Sequence, residues 1–393
     1  MGKTRARIID YLLLLILAIF PLGQLPGIYT QNLLGLGFRP HPIDALILFT
    51  VIFMHIVYRV KSIFRLLLPI IVVLAFSLLL SVFTSNFDIH GLFYVFRLTV
   101  YLVFLLFWLN RPISKAKRGL CLQSLLVVGG SVALFGWVQY FLFPDLTSLK
   151  AVGWDDHYFR LTSTFMDPAF TGIVLVLGIL TATSYFLLSR TKRAVLSVVF
   201  LLITLGFTYS RASFLALIIG LFVLLWNRNK KFLLILVFAF AVIVVLLPRT
   251  PGGEGVKLSR VSSISQKIQN YQESFEIILS SPVFGVGYNN VCKAKARLSI
   301  DISAQKNSCY GLDNSFLLIL ATTGVLGLLV VFNLLGQIAK LTAGNIYGDL
   351  FNASALAVLV HSQFSNTLFY PWVIIWLVIL AIISRTRKTG QGV

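Results

Sequence analysis

A chain of 393 residues in which 58% of the side chains are hydrophobic and only 12% charged cannot hide its apolar surface in a soluble core. The formal charge of +20 has the size of a nucleic-acid footprint. Yet the basic residues sit in short clusters between apolar runs, as topology signals do, and this excludes nucleic acid as the partner. What fits is an all-α polytopic membrane protein, since a β-barrel would show short alternating segments instead of long apolar runs.

Twelve stretches read as spans, at about 8–25, 43–58, 63–83, 91–109, 120–143, 169–189, 194–209, 211–226, 231–247, 314–333, 349–364 and 370–384. Several fall short of about 20 residues, which predicts tilted, re-entrant or merged segments among them. They divide the chain into N-terminal helices (1–150), a central region holding one long loop (151–340), and C-terminal helices with a tail (341–393). The opening "MGKTRAR" resembles the start of a signal peptide, but no small-residue cleavage site follows, so the first span reads as an anchor helix.

With the N-terminus inside, one face receives Lys3, Arg5 and Arg7, then Arg59, Lys61 and Arg65, then Arg111, Lys115, Lys117 and Arg118. It also receives Arg190, Lys192 and Arg193, then Arg228, Lys230 and Lys231, and last Arg385, Arg387 and Lys388. Every second short loop is basic and the alternate ones are not, which predicts that both termini are cytoplasmic. Two sizeable loops, 144–168 and 248–313, then face outward, and function is expected there. Cys121 lies in an apolar run and reads as packing. Cys292 and Cys309 share the long loop, where outside the cytoplasm they either pair or stay as two free thiols.

Within the long loop, Val261, Ile264, Ile268, Tyr271, Phe275 and Ile278 recur at steps of three and four, one face of a helix. Such a helix lies in the outer interface, covers a cavity, or packs on the bundle. "SPVFGVGYNN" is a glycine-rich turn, and without a flanking strand and helix its glycines have no phosphate role. Gly324 and Gly327, in the tenth span, read as sites of close helix packing. No internal repeat and no broken helix is evident, which disfavours a transporter.

Arg211, in "FTYSRASFLALIIG", stands at the outer end of the eighth span with Ser210 as its cap. An arginine beside the free N–H groups of a helix start favours a phosphate or another anion, and its planar fork suits phosphate oxygens. The plainer alternative is an arginine snorkelling to outer headgroups. Arg97, inside the fourth span, needs an acidic partner in a loop, a ligand or a water-filled cavity. Asp313 precedes an apolar helix and is read either as its cap or as a carboxylate that takes a proton from a hydroxyl. Arg160, Asp167 and the pair Asp155–Asp156 occupy the smaller loop. The acidic pair reads as a solvated turn rather than a metal site, and His157 completes no zinc pattern. Lys257, Arg260 and Lys267, followed by Lys293, Lys295, Arg297 and Lys306, make the long loop attractive to anionic headgroups or a diphosphate.

"TYSRASFLAL", a long loop ending "SPVFGVGYNNV", and "DNSFLLILATTGVLGLL" together are similar to the O-antigen ligase/polymerase family. Its blocks read roughly T-x-S-R-x-x-x-L, P-x-x-G-x-G and H-N-x-x-L. "RLTSTFMDPAFTG" resembles a further block, R-x-x-G-T-F-x-N-P-N, altered here to "STFMDPA". The similarity spans about 155–335. It implies a membrane glycosyltransferase of the GT-C type, multi-pass in the cytoplasmic (inner) membrane and acting on its outer face. The implied donor is an undecaprenyl-diphosphate-linked oligosaccharide and the acceptor a glycan or a lipid. A polymerase passes the growing chain to a new lipid-linked unit, and a ligase passes it to lipid A core, a protein or another final acceptor. The family implies no cofactor and no metal; membrane lipids and a chain-length regulator are its candidate partners. By position, Arg211 matches the family's diphosphate-binding arginine and Arg260 falls near a second one. Arg160 and Arg97 join them as candidate substrate contacts. Asp313 stands where the family has its presumed basic histidine. An aspartate accepts a proton but, once ionised, donates nothing to a diphosphate, so a non-catalytic relative stays among the alternatives.

Overall fold

A computed structural model describes residues 2–28, 40–57, 64–111, 113–152, 154–249, 251, 253–300, 311–342 and 344–385. Its long helices follow the apolar runs. They are α1 (Gly2–Ile19), α2 (Pro42–Val57), α3 (Phe64–Phe83), α4 (Ile89–Leu109), α5 (Lys115–Leu142), α6 (Pro168–Ser189) and α7 (Lys192–Gly206). Then come α8 (Arg211–Leu225), α9 (Lys230–Leu246), α10 (Ser262–Ser280), α11 (Val291–Arg297), α12 (Ser315–Thr342), α13 (Ile346–His361) and α14 (Pro371–Ser384). Among the described residues four of these, α4, α5, α6 and α12, are long and apolar enough to cross a membrane. Others, such as the 15-residue α8, reach only about 22 Å against a hydrocarbon core of about 30 Å.

The centre is α6. Its residues from Thr171 to Ser184 are all buried, as befits a helix apolar all round. It packs against α5, α7, α8 and α13. Its crossing with α5 runs through two glycines: a Cβ on Gly129 would meet Gly178 Cα at 3.4 Å, the close approach that small residues allow between spans.

At one end of the bundle Asp10 of α1 accepts from Arg111 at 3.1 Å and from Lys117. Arg118 donates to the Arg385 carbonyl, and Arg228 pairs with Asp349. At the opposite end α6, α8 and α12 begin, and there the smaller loop enters the bundle. Residues 161–166 are buried throughout, which corrects the expectation of an outward-facing loop over this stretch. Gln139 Oε1 accepts from the N–H groups of Thr162 and Ser163, and Thr164 Oγ1 donates to Pro21 O at 2.7 Å. The buried backbone is thus satisfied by side chains and by chain from another helix.

The tenth span is not continuous. Gly324 has φ 67° and ψ −170° inside α12, and the turn "SPVFGVG" lies in the break. Val286 N donates to Ala321 O at 2.9 Å, Gly287 N to Thr322 O at 3.0 Å, and Val325 N to Pro282 O at 3.0 Å. Ser77 Oγ adds a bond to Thr322 O at 2.8 Å. Irregular backbone in an apolar layer persists only when its polar groups find such partners. This corrects two expectations. Gly324 is the pivot of a broken helix rather than a packing contact, and the absence of broken helices no longer argues against a transporter. The break is filled by the protein's own backbone.

Helix α10 is amphipathic as the spacing predicts, but it is turned over. Its bundle side carries Ser263, Lys267, Asn270, Ser274 and Ile277, at steps of four and three. The predicted apolar stripe points away: Val261 is 68% exposed and Ile264, Ile268 and Phe275 are exposed, as is Leu279 beside them at 77%. Tyr271 and Ile278 lie at the boundary, half-buried. Packing of the apolar face on the bundle is therefore corrected. Beyond α10, Cys292 is disulfide-bonded and Cys121 is a buried free thiol. Cys309 lies outside the described residues.

Candidate functional site

The turn from α7 to α8, Phe207–Ser210, is the anchor. Ser210 Oγ accepts from Ser213 N and so caps α8, while Tyr209 bends the chain with φ 51°. Three arginines gather on this turn. Arg160 donates from Nε and NH2 to Thr208 O at 3.1 and 3.0 Å. Arg260 NH2 donates to Tyr209 O at 3.2 Å, and its NH1 to Gly255 O at 3.0 Å. Arg211 NH1 donates to Leu258 O at 3.1 Å and to Arg260 O at 3.3 Å, and its NH2 to Ser263 Oγ at 2.7 Å. Among the described residues no carboxylate pairs with any of the three. Their hydrogen-bond partners are carbonyls and one hydroxyl, and the nearby Asp155, Asp167 and Glu254 offset the positive charge only from a distance.

Burial, then Arg260, pulls the Arg160 guanidinium down to about 9, still protonated near neutrality. Arg260 is lowered by burial and by Arg211. A five-donor guanidinium spends only some of its N–H groups here, and like charges held this close favour an anion between them.

Asp313 sits one helical turn along α10 from that cluster. Its Oδ2 lies 3.3 Å from Lys267 Nζ, and its backbone N donates to Asn270 Oδ1 at 2.9 Å. Lys267 also donates to Phe364 O. The reading of Asp313 as the cap of α12 is corrected. Asn314 Oδ1 accepts from Phe316 N at 2.8 Å and Leu317 N at 3.2 Å. The Asp313 side chain stays 49% exposed, so its carboxylate faces open space beside an ammonium. Ser263 and Lys267 are four residues apart on one face. The helix therefore holds Arg211 and Asp313 about 6 Å apart along its axis.

Between the two lies the acidic part of the smaller loop. Asp167 caps α6, accepting through Oδ1 from Ala169 N at 2.6 Å and Phe170 N at 2.9 Å. Asp155, His157 and Asp167 each offer a ligand atom within 4.8 Å of the others. Burial and then Arg160 push His157 down to about 4. Desolvation, followed by Asp167, Asp313 and Asp156, raises the Asp155 carboxyl. The predicted acidic pair is split, because Asp156 is exposed and reaches Lys150 at 3.9 Å.

Arg97 does not join this site. Its NH2 meets Asp44 Oδ2 at 2.7 Å, and Asp44 also accepts from Tyr101 OH at 2.8 Å and from His41 N at 2.8 Å. The acid belongs to the first turn of α2, not to a loop as expected. Arg97 lines a separate cavity of about 80 Å³ with Tyr94, Tyr101, Tyr288, Asn289 and Asn366.

Sequence reasoning missed His361, Asn270 and Asn314. His361 is fully buried, its ring bonded to Ser213 Oγ at 3.0 Å and to Thr367 Oγ1 at 2.6 Å. Nε2 joins α13 to α8, and Nδ1 ties the end of α13 to the turn that follows it. A cap signal for Asn314 was present in "DNSF", where two capping residue types stand side by side.

Residues 196–332, about a third of the chain, match the family model described as O-antigen ligase. No curated protein matches the chain. The matched stretch runs from α7 into α12 and contains Arg211, Arg260, Lys267 and Asp313. Arg97, Asp155, His157, Arg160 and Asp167 precede it.

Proposed function

We infer, from the match of residues 196–332 to the O-antigen ligase family model, a glycosyltransferase that moves or polymerises a glycan held on undecaprenyl diphosphate. Surface polysaccharide biosynthesis, the business of that family, is its setting. The observation that carries the reading is the pairing, along the inner stripe of α10, of an arginine cluster hydrogen-bonded to neutral groups with the half-exposed Asp313 carboxylate.

The chemistry suits both groups. An acceptor hydroxyl attacks the anomeric carbon of the donor sugar as the carbon–oxygen bond to the diphosphate breaks. Asp313 takes the hydroxyl proton. Arg211 and Arg260, with Arg160 behind them, meet the charge that appears on the departing diphosphate. Lys267, 3.3 Å from Oδ2, holds the Asp313 side chain in place.

The inverted helix supports a roof over this reaction. Its polar stripe closes the site and its apolar stripe is set into the outer lipid interface. A lipid-linked donor then reaches the arginines from the bilayer side. This orientation agrees with a cytoplasmic position for the opposite, basic end of the bundle, and so for both termini.

The test supplies purified protein with lipid-linked repeat units. A ladder of longer glycans supports a polymerase, and single additions to a distinct acceptor support a ligase, including one that glycosylates protein. If neither format gives transfer, and wild type and Arg211→Ala behave alike, the enzyme reading fails and a transporter or non-catalytic relative takes its place.

A further inference from the structure

We propose that Asp155, His157 and Asp167 form a binding site for one divalent first-row metal ion, Zn²⁺ or Mn²⁺, at the edge of the arginine cluster. The resemblance implies no metal, so the case rests on the geometry.

The positions of the three residues are fixed by the fold. Tyr158 bridges to Asp145, and Phe159 N donates to Pro144 O at 2.9 Å while Leu146 N donates to the His157 carbonyl at 2.9 Å. This pins the backbone up to Tyr158, ahead of the bend at Phe159 (φ 50°), and along extended chain the side chains two apart share a side. Asp167 is pinned from the other direction as the cap of α6.

Each of the three side chains also keeps an atom without a hydrogen-bond partner among the described residues. His157 is only 7% exposed, and its Nε2 is buried with no hydrogen-bond partner. A buried polar atom left so costs about 1–3 kcal/mol, and one ring nitrogen of this imidazole lies within 4.8 Å of both carboxylates. Asp167 uses Oδ1 for the cap and keeps Oδ2. Among the described residues the Asp155 carboxylate has no hydrogen bond or ion pair.

One imidazole and two carboxylates form a mixed nitrogen and oxygen set that suits Zn²⁺ or Mn²⁺ better than Ca²⁺ or Mg²⁺. Ligands about 2.0–2.2 Å from one ion stand at most about 4.4 Å apart. The site therefore closes on binding wherever the present separations, all within 4.8 Å, exceed that limit. Asp155, exposed and on a loop, is the member free to move. Water or a substrate oxygen completes the coordination.

The experiment uses full-length protein in detergent, stripped with chelator and dialysed. Zn²⁺ is titrated by calorimetry and counted by mass spectrometry of the bound metal, and Mn²⁺ is followed by electron paramagnetic resonance. Wild type is expected to hold one ion per chain. His157→Ala and Asp155→Asn are each expected to weaken it at least about tenfold. Asp167→Asn does the same while keeping the α6 cap, because asparagine caps as well as aspartate. Thermal melting checks that each variant is folded, and Asp155→Asn, at an exposed position, serves if His157→Ala is not. Failure of wild type to bind either ion at stoichiometric level overturns the site. So does binding that survives unchanged in Asp155→Asn and Asp167→Asn, since the ion would then lie elsewhere.

Discussion

Lys267 Nζ lies 3.3 Å from Asp313 Oδ2, while the neighbouring Asn314 supplies the cap that α12 needs. The two findings together separate the candidate base from the helix start. A carboxylate that capped the helix would be indispensable to the fold whatever its chemistry; here the fold has its own cap.

Asp313→Asn is therefore expected to abolish transfer with little loss of stability. Removing a general base costs about 10²–10⁴-fold in rate. The surface pair with Lys267 is worth at most about 1 kcal/mol. Ladder formation on lipid-linked units measures the first and thermal melting the second. A variant that is equally active, or one that unfolds, refutes the base role as drawn here.

At Arg211 the fork matters as much as the charge. NH1 and NH2 bind two carbonyls and Ser263 Oγ, so the side chain clamps the start of α10, and in the proposed reaction it would also offer donors to a diphosphate. Lysine keeps the charge but has a single nitrogen. Arg211→Lys is expected to retain no more than about a hundredth of the transfer rate, in line with loss of one preorganised donor to a developing anion. Near-normal rates in Arg211→Lys would reduce its role to simple charge.

The site was legible in parts. Arg211, Arg260 and Asp313 stand out because charged residues at the ends of apolar runs are conspicuous, and the helices follow the apolar runs themselves. What could not be read is orientation. The spacing of Val261, Ile264, Ile268 and Phe275 defines a stripe, but a stripe does not say whether protein or lipid covers it. In a membrane chain the polar side of α10 turns inward, the reverse of the soluble rule. Asp44 was missed as the partner of Arg97 because 53 residues separate them, and only the α2–α4 packing brings them together. The break at Gly324 was hidden because a glycine in an apolar run looks the same whether it packs or bends.

The Arg97–Asp44 pair, with side chains 14% and 16% exposed, is expected to act on the fold rather than on substrate. Arg97→Ala leaves a mostly buried carboxylate uncompensated and should destabilise by about 3–5 kcal/mol. Arg97→Met with Asp44→Leu should recover most of that loss and keep transfer activity. A stable but inactive double variant would instead point to ligand contact in the Tyr94–Tyr288 cavity.

The outward stripe of α10 makes a prediction about lipid. Single cysteines at Val261, Ile268 and Leu279, labelled with an environment-sensitive fluorophore, should shift to the blue in vesicles and be quenched by brominated lipid. Gln266 and Gln269, exposed on the same helix but off the apolar stripe, serve as comparison positions and should be quenched less. Equal quenching at all positions would remove the interfacial seat of the roof, and quenching at none would place the helix in water.

At Gly324 the backbone leaves no room for a side chain. A Cβ there would meet Val283 O at 2.1 Å, and one on Gly285 would meet the Thr322 carbonyl carbon at 2.3 Å. Both glycines have positive φ, 67° and 72°, so alanine is strained at each before any clash is counted, by about 1–3 kcal/mol. Gly324→Ala and Gly285→Ala should each lower the melting temperature in detergent. The two losses together should fall short of their sum, because either change already parts the turn from the broken helix. Gly130, where a Cβ meets nothing, is the control and should tolerate alanine. Full additivity of the two changes would mean that the turn and the break are independent, and the glycine-rich motif would lose its role as the plug of α12.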